Sequence, residues 1–181
     1  MKKANTNEVI RQFYLFLTGC LVGWIYEVSL GFLYGLGFVN RGFLFGPYLP
    51  IYGFGLILLN LLLHRLMERP VKVGRVKINP LLVFLGVIII TTILEYIVGY
   101  ALLKLFELRL WDYSAYWMNL QGIISFKTSL RFGIGGMFLL YVLVPLGDKT
   151  VSKLGIKAGK TIMYVVLSVM TLDFIFTLLC K

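Results

Sequence analysis

The sequence predicts an all-α, polytopic membrane protein with about five transmembrane helices, and three observations carry that expectation. Of its 181 residues, 59% are hydrophobic and only 14% are charged, where soluble domains carry roughly 25% charged residues; mean hydropathy is +0.87. Five apolar runs reach or approach the roughly 20 residues that a helix needs to cross a hydrocarbon core about 30 Å thick. The cationic residues gather in every second connection.

The first run, 13–36, follows Lys2 and Lys3. It is too long for a signal-peptide core and no A-x-A-like site follows, so it is expected to persist as a helix. Gly19, Gly23, Glu27, Gly31 and Gly35 recur in it at four-residue intervals, a small-residue stripe that lets another helix approach closely. Cys20 lies in this helix and Cys180 at the end of the last; both read as packing residues too far apart for a disulfide.

Next comes NRGFLFGPYLPIYGFG, 40–55, which sets Asn40, Gly42, Gly46, Pro47, Pro50 and Gly53 among large side chains such as Tyr52. Glycine and proline read as loop, yet no water-exposed loop favours such apolar company. In a bilayer, irregular backbone is tolerated only where it is buried in protein or lines a watery cavity. The expectation is therefore a turn at 40–42, a short dipping segment at the outer face, and entry near Pro50 into a second helix, 49–66, with glycines admitting close backbone approach. Arg41 is the strong charge of this segment, and its candidate partners are Glu27, Asp112 or an outside anion.

The third run, 81–105, carries Thr91, Glu95 and Gly99 at the same four-residue spacing. In the following RLWDYSAYWMNLQG, Trp111, Tyr113, Tyr116 and Trp117 suit the headgroup level, and Asp112 is placed to cap a short helix or to pair with Arg109. The fourth run, 129–146, is diluted by Arg131 and three glycines, and the fifth, 161–179, contains Asp173. Shifting the chain by eighty positions lays Gly42, Gly53 and Gly55 on Gly122, Gly133 and Gly135, while Glu27 and Glu95 each stand about fourteen residues into their runs. A parallel duplication would produce both coincidences: one integral membrane domain, 1–181, with repeat 1 at about 13–66, repeat 2 at about 81–146 and an added helix at about 161–179. Repeats related by an axis along the membrane normal occur in transporters, with the site at their interface.

The formal charge of +10 does not point to nucleic acid, because of where it lies. Lys2, Lys3, Arg11, Arg65, Arg69, Lys72, Arg75, Lys77, Lys149, Lys153, Lys157 and Lys160 are twelve of the eighteen Lys and Arg, and five spans put all of them on one side. The positive-inside rule makes that side cytoplasmic, with the N-terminus inside and the C-terminus outside.

Glu27, Glu95 and Asp173 oppose insertion by roughly 2.5–3.5 kcal/mol each if they sit near mid-bilayer, so something must offset them. Protonation, a helix partner, water or a bound cation would each do so. If the two small-residue stripes meet, Glu27 and Glu95 share one poorly solvated site that holds a proton or a cation. The bland alternative is that each acid hydrogen-bonds a backbone carbonyl or a tyrosine such as Tyr26, Tyr96 or Tyr100. Asp173 either serves the same site or pairs with Arg131 or Lys127.

NRGFLFGPYLPIYG, the glutamates of GWIYE and LEY, WDYS at 111–114 and the Asn119/Gly122 pair resemble the bacterial family called putative type IV ABC transporter permeases, CmpB-like, over roughly 13–136. The resemblance implies a membrane subunit of a transporter in a bacterial plasma membrane. It departs from the family at Ile123, where an arginine often follows the glycine, which weighs against anion binding there.

Other constellations fail. GIKAGKT at 155–161 lacks the first glycine of a phosphate loop, because Leu154 occupies that position; it reads as a basic loop. His64 is the single histidine, which excludes a histidine-based metal site and suits a snorkelling surface residue. No hydrolase motif is present.

The leading reading is a permease or channel-like subunit that binds or relays a cation or proton through Glu27 and Glu95, with Asn40, Arg41, Asp112, Asn119 and Asp173 as further candidates. Lipid bilayer, a homo-oligomer and a separate ATPase subunit are the implied partners; no cofactor is implied, and the identity of any metal is open. Two other classes stay in view: a non-catalytic scaffold of a larger membrane complex, and a membrane enzyme using Glu27, Glu95 or Asp112 on a lipid-like substrate with Arg41 at its headgroup.

Overall fold

The computed structural model describes residues 2–40, 42–73 and 76–180. It consists of helices α1 (Lys2–Leu33), α2 (Pro50–Glu68), α3 (Asn79–Phe106), α4 (Phe126–Phe138), α5 (Val144–Lys153) and α6 (Ile156–Cys180). Two very short antiparallel ladders, β1 (Lys72–Val73) with β2 (Val76–Lys77) and β3 (Asn119–Leu120) with β4 (Ile124–Ser125), pin two connections. Five helical runs are long and apolar enough to cross a membrane: Asn7–Leu33, Pro50–Glu68, Asn79–Phe106, Phe126–Lys153 and Ile156–Cys180. The expected all-α, five-span class is thus the observed one.

Several boundaries differ from expectation for local reasons. Helix α1 ends at Leu33 because Gly35 takes a φ of 74° and the Leu36 N–H turns back to the Gly31 carbonyl (3.0 Å), a left-handed glycine stop. The fourth run continues seven residues beyond its expected end, through a π-helical segment at Leu139–Leu143. Pro145 has no N–H to give a carbonyl one turn back, and the widened turn before it accommodates the mismatch. Lys149 and Lys153 therefore lie on α5, and the GIKAGKT stretch joins α6 at Ile156 instead of forming a loop.

The chain forms two compact units, Met1–Ile57 with Leu143–Lys181, and Leu58–Val142. In the first, α1 packs along α5 and α6. Arg11 grips Asp148 bidentately, Nε to Oδ1 at 2.6 Å and Nη2 to Oδ2 at 3.1 Å, and Ile10 covers Gly159 of α6. Farther along, α1 meets α2 backbone to backbone: a Cβ on Gly53 would stand 2.6 Å from both Cys20 Sγ and Phe16 Cδ2, and one on Gly19 would stand 2.7 Å from the Tyr52 carbonyl oxygen. Cys20 is wholly buried there, but Cys180, expected to pack, is exposed at the end of α6.

In the second unit α3 packs along α4, and Gly133 lies against Ile88 and Phe84, where a Cβ would come to 2.6 and 2.9 Å. Phe84 and Ile88 follow Phe16 and Cys20 by the same interval that separates Glu95 from Glu27, and Gly133 follows Gly53 by the eighty positions noted above. Each hairpin therefore closes with glycine on the same pair of positions. Asn79 fastens the connection from α2 to α3: its amide donates to the carbonyls of Leu66 (2.5 Å) and Arg69 (2.7 Å) and accepts from the Val71 N–H (2.8 Å).

A methyl group at a backbone-to-backbone crossing must overpack it. Gly53→Ala is expected to cost about 1–3 kcal/mol, read as a lower unfolding midpoint in detergent, whereas Gly135→Ala, where a Cβ meets nothing within 4 Å, leaves the midpoint in place. Equal midpoints for the two variants contradict the crossing.

Candidate functional site

The dipping segment goes deep. Cys20 is the midpoint of the span Asn7–Leu33, and its carbonyl accepts the N–H of Leu49 (3.0 Å). Helix α2 thus starts beside the middle of α1, and residues 34–49 return over about 20 Å of helix, at about 1.5 Å per residue. Leu44 and Tyr48 are buried against Cys20, with Phe16 and Met170 around them. In the second unit Thr92, at the middle of α3, donates to Ser129 Oγ (2.7 Å) on the first turn of α4. Residues 107–125 make the corresponding return. Helix α4 starts on a capping box, the Ser125 side chain accepting from the Thr128 N–H and the Thr128 hydroxyl accepting from the Ser125 N–H.

A segment without regular structure needs partners for its backbone, and one asparagine in each unit supplies several. The Asn40 amide donates to the carbonyls of Leu44 (3.2 Å) and Phe45 (3.0 Å), while its oxygen accepts from the Gly42 N–H (3.2 Å) and from Trp24 Nε1 (2.9 Å). The Asn119 amide donates to the carbonyls of Ser114 (3.1 Å) and Tyr116 (2.9 Å), and its oxygen accepts from the Gly122 N–H (3.2 Å). Both were singled out as binding candidates; their visible work is to hold a turn.

Asp173 has a role the sequence did not indicate. From α6 its carboxylate accepts the N–H groups of Phe45 (3.2 Å) and Gly46 (2.9 Å), the Tyr48 hydroxyl and the Thr177 hydroxyl (3.3 Å). It ties the return segment to the last helix instead of pairing with Lys127, whose ammonium rests over the Tyr116 ring at 4.7 Å. Pro47, with no N–H to satisfy, follows Gly46, and Pro50 opens α2. Arg41 lies outside the described residues.

Glu27 is half-buried on α1, about 10 Å along the helix from Cys20 at 1.5 Å per residue. The Tyr52 hydroxyl donates to its Oε1 at 2.5 Å. The Tyr52 ring lies in the space where Gly23 has no side chain, and Tyr26 stands beside it, ring centroids 6.4 Å apart. Glu27 thus has a tyrosine partner that the sequence reading did not name, Tyr52 on the first turn of α2. Gly19 and Gly23, expected to bring the two glutamates together, are filled by Tyr52 and Gly53 of the same unit; in the second unit Gly99 is filled by Ile123 and Trp111. The stripes close hairpins inside each unit. Glu95 is half-buried on α3, and next to it Tyr96 donates to Gln121 Oε1 at 3.2 Å.

Asp112 pairs with Arg109 (3.0 Å) and, instead of capping a helix, accepts the N–H (2.9 Å) and hydroxyl (2.6 Å) of Ser114. The Ser114 bonds, followed by the guanidinium of Arg109, hold its carboxyl below the usual carboxylate range. Gly122 closes this loop at a φ of 68°, where a Cβ would stand 2.5 Å from Ser114 Oγ. Its carbonyl accepts the Tyr113 N–H (2.8 Å), and the Ile123 carbonyl accepts Trp111 Nε1 (2.8 Å). His64, expected to snorkel at the surface, is exposed and 3.1 Å from Glu68. Tyr48, Trp24, Ser114 and Gln121 were missed as partners. One signal was available for Tyr52, which precedes the glycine that seats α2 on α1.

Apolar helices with broken returns between them and acids held within them define a multi-pass α-helical membrane protein. The chain belongs to the family described as Putative ABC-transporter type IV, whose model matches residues 14–178 and so runs past the resemblance read from the motifs to include α6 and Asp173. It is an ABC-transporter-related membrane protein. No curated protein and no solved structure matches it.

Asp173→Ala removes the acceptor of two backbone N–H groups, and hydrogen bonds to charged groups are worth about 1.5–3 kcal/mol each; the amides of Phe45 and Gly46 are expected to exchange hydrogen faster, with those at 119–123 unchanged. For Asp112, a folded value below the unfolded one near 3.9 means its contribution is complete above that pH and fades as pH falls through the folded value. Exchange at the Ser114 amide should therefore rise below about pH 4, after correction for intrinsic rate. Asp112→Asn should abolish that dependence, and a flat wild-type profile contradicts the assignment.

Proposed function

We propose that the chain is the membrane-spanning subunit of a transport system, with its N-terminus in the bacterial cytoplasm, in which Glu27 takes up and releases a proton or small cation and Glu95 holds the corresponding place in a second, duplicated half. The observation that carries the reading is the Glu27–Tyr52 bond within an apolar span. A phenol both donates and accepts hydrogen bonds. That bond can therefore persist whether the carboxyl carries a proton or not, so exchange need not dismantle the site. Asp173 also meets a phenol, that of Tyr48, but it accepts two backbone N–H groups that can only donate; protonating it would weaken the bonds that hold the return segment. This separates a carboxyl suited to exchange from one suited to structure.

Support for the duplication comes from the paired glycine contacts and the paired asparagine turns. The return segments then shape the approach to each acid, with Asn40 on the first return and Asp112 and Asn119 on the second. Self-association supplies the wall that five helices do not, and the energy source in this reading is a separate ATPase subunit, as the family description implies.

Proton flux in liposomes tests the proposal. Wild type should dissipate a pH gradient well above empty vesicles, Glu27→Gln should fall to the empty-vesicle rate, and Tyr52→Phe should lower flux about tenfold, the factor set by losing about 1.4 kcal/mol of hydrogen bonding. If wild type, Glu27→Gln and empty vesicles coincide for protons and for a panel of small cations, the transport reading fails.

A further inference from the structure

We propose that the corner between α5 and α6 is a binding surface for anionic phospholipid headgroups. Lys149 and Lys153 stand one turn apart on α5, Lys157 and Lys160 on the first turns of α6, and all four are exposed. Only Leu154 and Gly155 separate the helices. The nearby acids are already engaged: Asp148 is held bidentately by Arg11, and Glu8 receives Arg11 and the Gln12 amide. Among the described residues none of the four lysines is ion-paired.

Depth decides between a lipid and a soluble acidic partner. Cys20 is the midpoint of the span Asn7–Leu33, and Arg11, nine residues before it, stands about 14 Å from it at 1.5 Å per residue, near the edge of a hydrocarbon core about 30 Å thick. Arg11 holds Asp148 at that level, so Lys149 and Lys153 on the next turns of α5 fall in the headgroup layer and not beyond it. Ile10 against Gly159 puts Lys157 and Lys160, which flank that glycine, at the same level. Arg11 on Asp148 and Ile10 on Gly159 bring the beginning of α1 to this corner, so the lysines top a braced three-helix end. Lysine is a compact point charge on a flexible stem that suits a phosphate diester from any direction, and a basic cluster next to a span is attracted to anionic lipid. The inference stands whether or not the chain transports a proton.

The test uses the full chain in a neutral detergent, titrated with dioleoylphosphatidylglycerol or dioleoylphosphatidylcholine while its melting temperature is followed. Phosphatidylglycerol should raise the melting temperature of wild type more than phosphatidylcholine does, with half of the extra gain lost by 0.5 M salt, where screening lengths shrink to about 4 Å. Replacing Lys149, Lys153, Lys157 and Lys160 together by Gln should weaken phosphatidylglycerol binding at least tenfold, and replacing them by Arg should preserve it. The Lys104→Gln/Lys127→Gln double variant, which removes charges elsewhere, should behave as wild type. If the fourfold Gln variant does not fold, the Lys149→Gln/Lys153→Gln and Lys157→Gln/Lys160→Gln pairs should each show part of the loss. Equal response to the two lipids, or a phosphatidylglycerol preference that survives the Gln replacements, overturns the proposal. Capture of polyglutamate with no lipid preference overturns it in favour of an acidic protein.

Discussion

Everything irregular in this molecule answers to one constraint: inside a bilayer no water completes a hydrogen bond that the protein leaves open. Helices meet the constraint with their own ladders, but residues 34–49 and 107–125 are not helical where they run beside α1 and α3. Side chains supply what a ladder would have supplied. Asn40 and Asn119 each satisfy two carbonyls and a glycine N–H, Asp173 receives two further N–H groups, and Asp112 folds back the Ser114 turn. These polar residues look like a ligand site when read by type. Much of what they bind is the chain itself.

The same constraint explains the glycines. A return that must reach the middle of its neighbouring helix needs room, and room is made where Gly19 and Gly53 let two backbones touch and where Gly23 accepts the ring of Tyr52. The packing that admits the segment also carries the Tyr52 hydroxyl to Glu27. The fold and the Tyr52–Glu27 bond therefore share a cause, and a change at Gly23 would disturb that bond as well as the packing.

Much of this was legible in advance because it depends on amounts and short-range spacing. Length and apolarity of the runs gave the five spans; Gly and Pro among aromatic residues gave the dipping segment and its helix entry at Pro50; the Arg109–Asp112 spacing gave their ion pair. Other features escaped because they depend on partners distant in sequence. Nothing near Asp173 announces Phe45 and Gly46, 128 and 127 positions away. The four-residue glycine stripe told that something approaches α1 closely but not which element, and the approaching element is α2. The fourth run was expected to end at Leu146, yet the helix continues through a π segment and past Pro145 to Lys153.

The sequence by itself determined the solvent of this protein, the number of its crossings and the positions of its costly acids, since transfer into hydrocarbon is a sum over residues that needs no neighbours to evaluate. Only the tertiary structure decided that Asp173 receives two backbone N–H groups beside the Tyr48 phenol and that Glu27 meets the phenol of Tyr52. Those partners are donors brought in from other segments of the chain, which residue type and local spacing do not name.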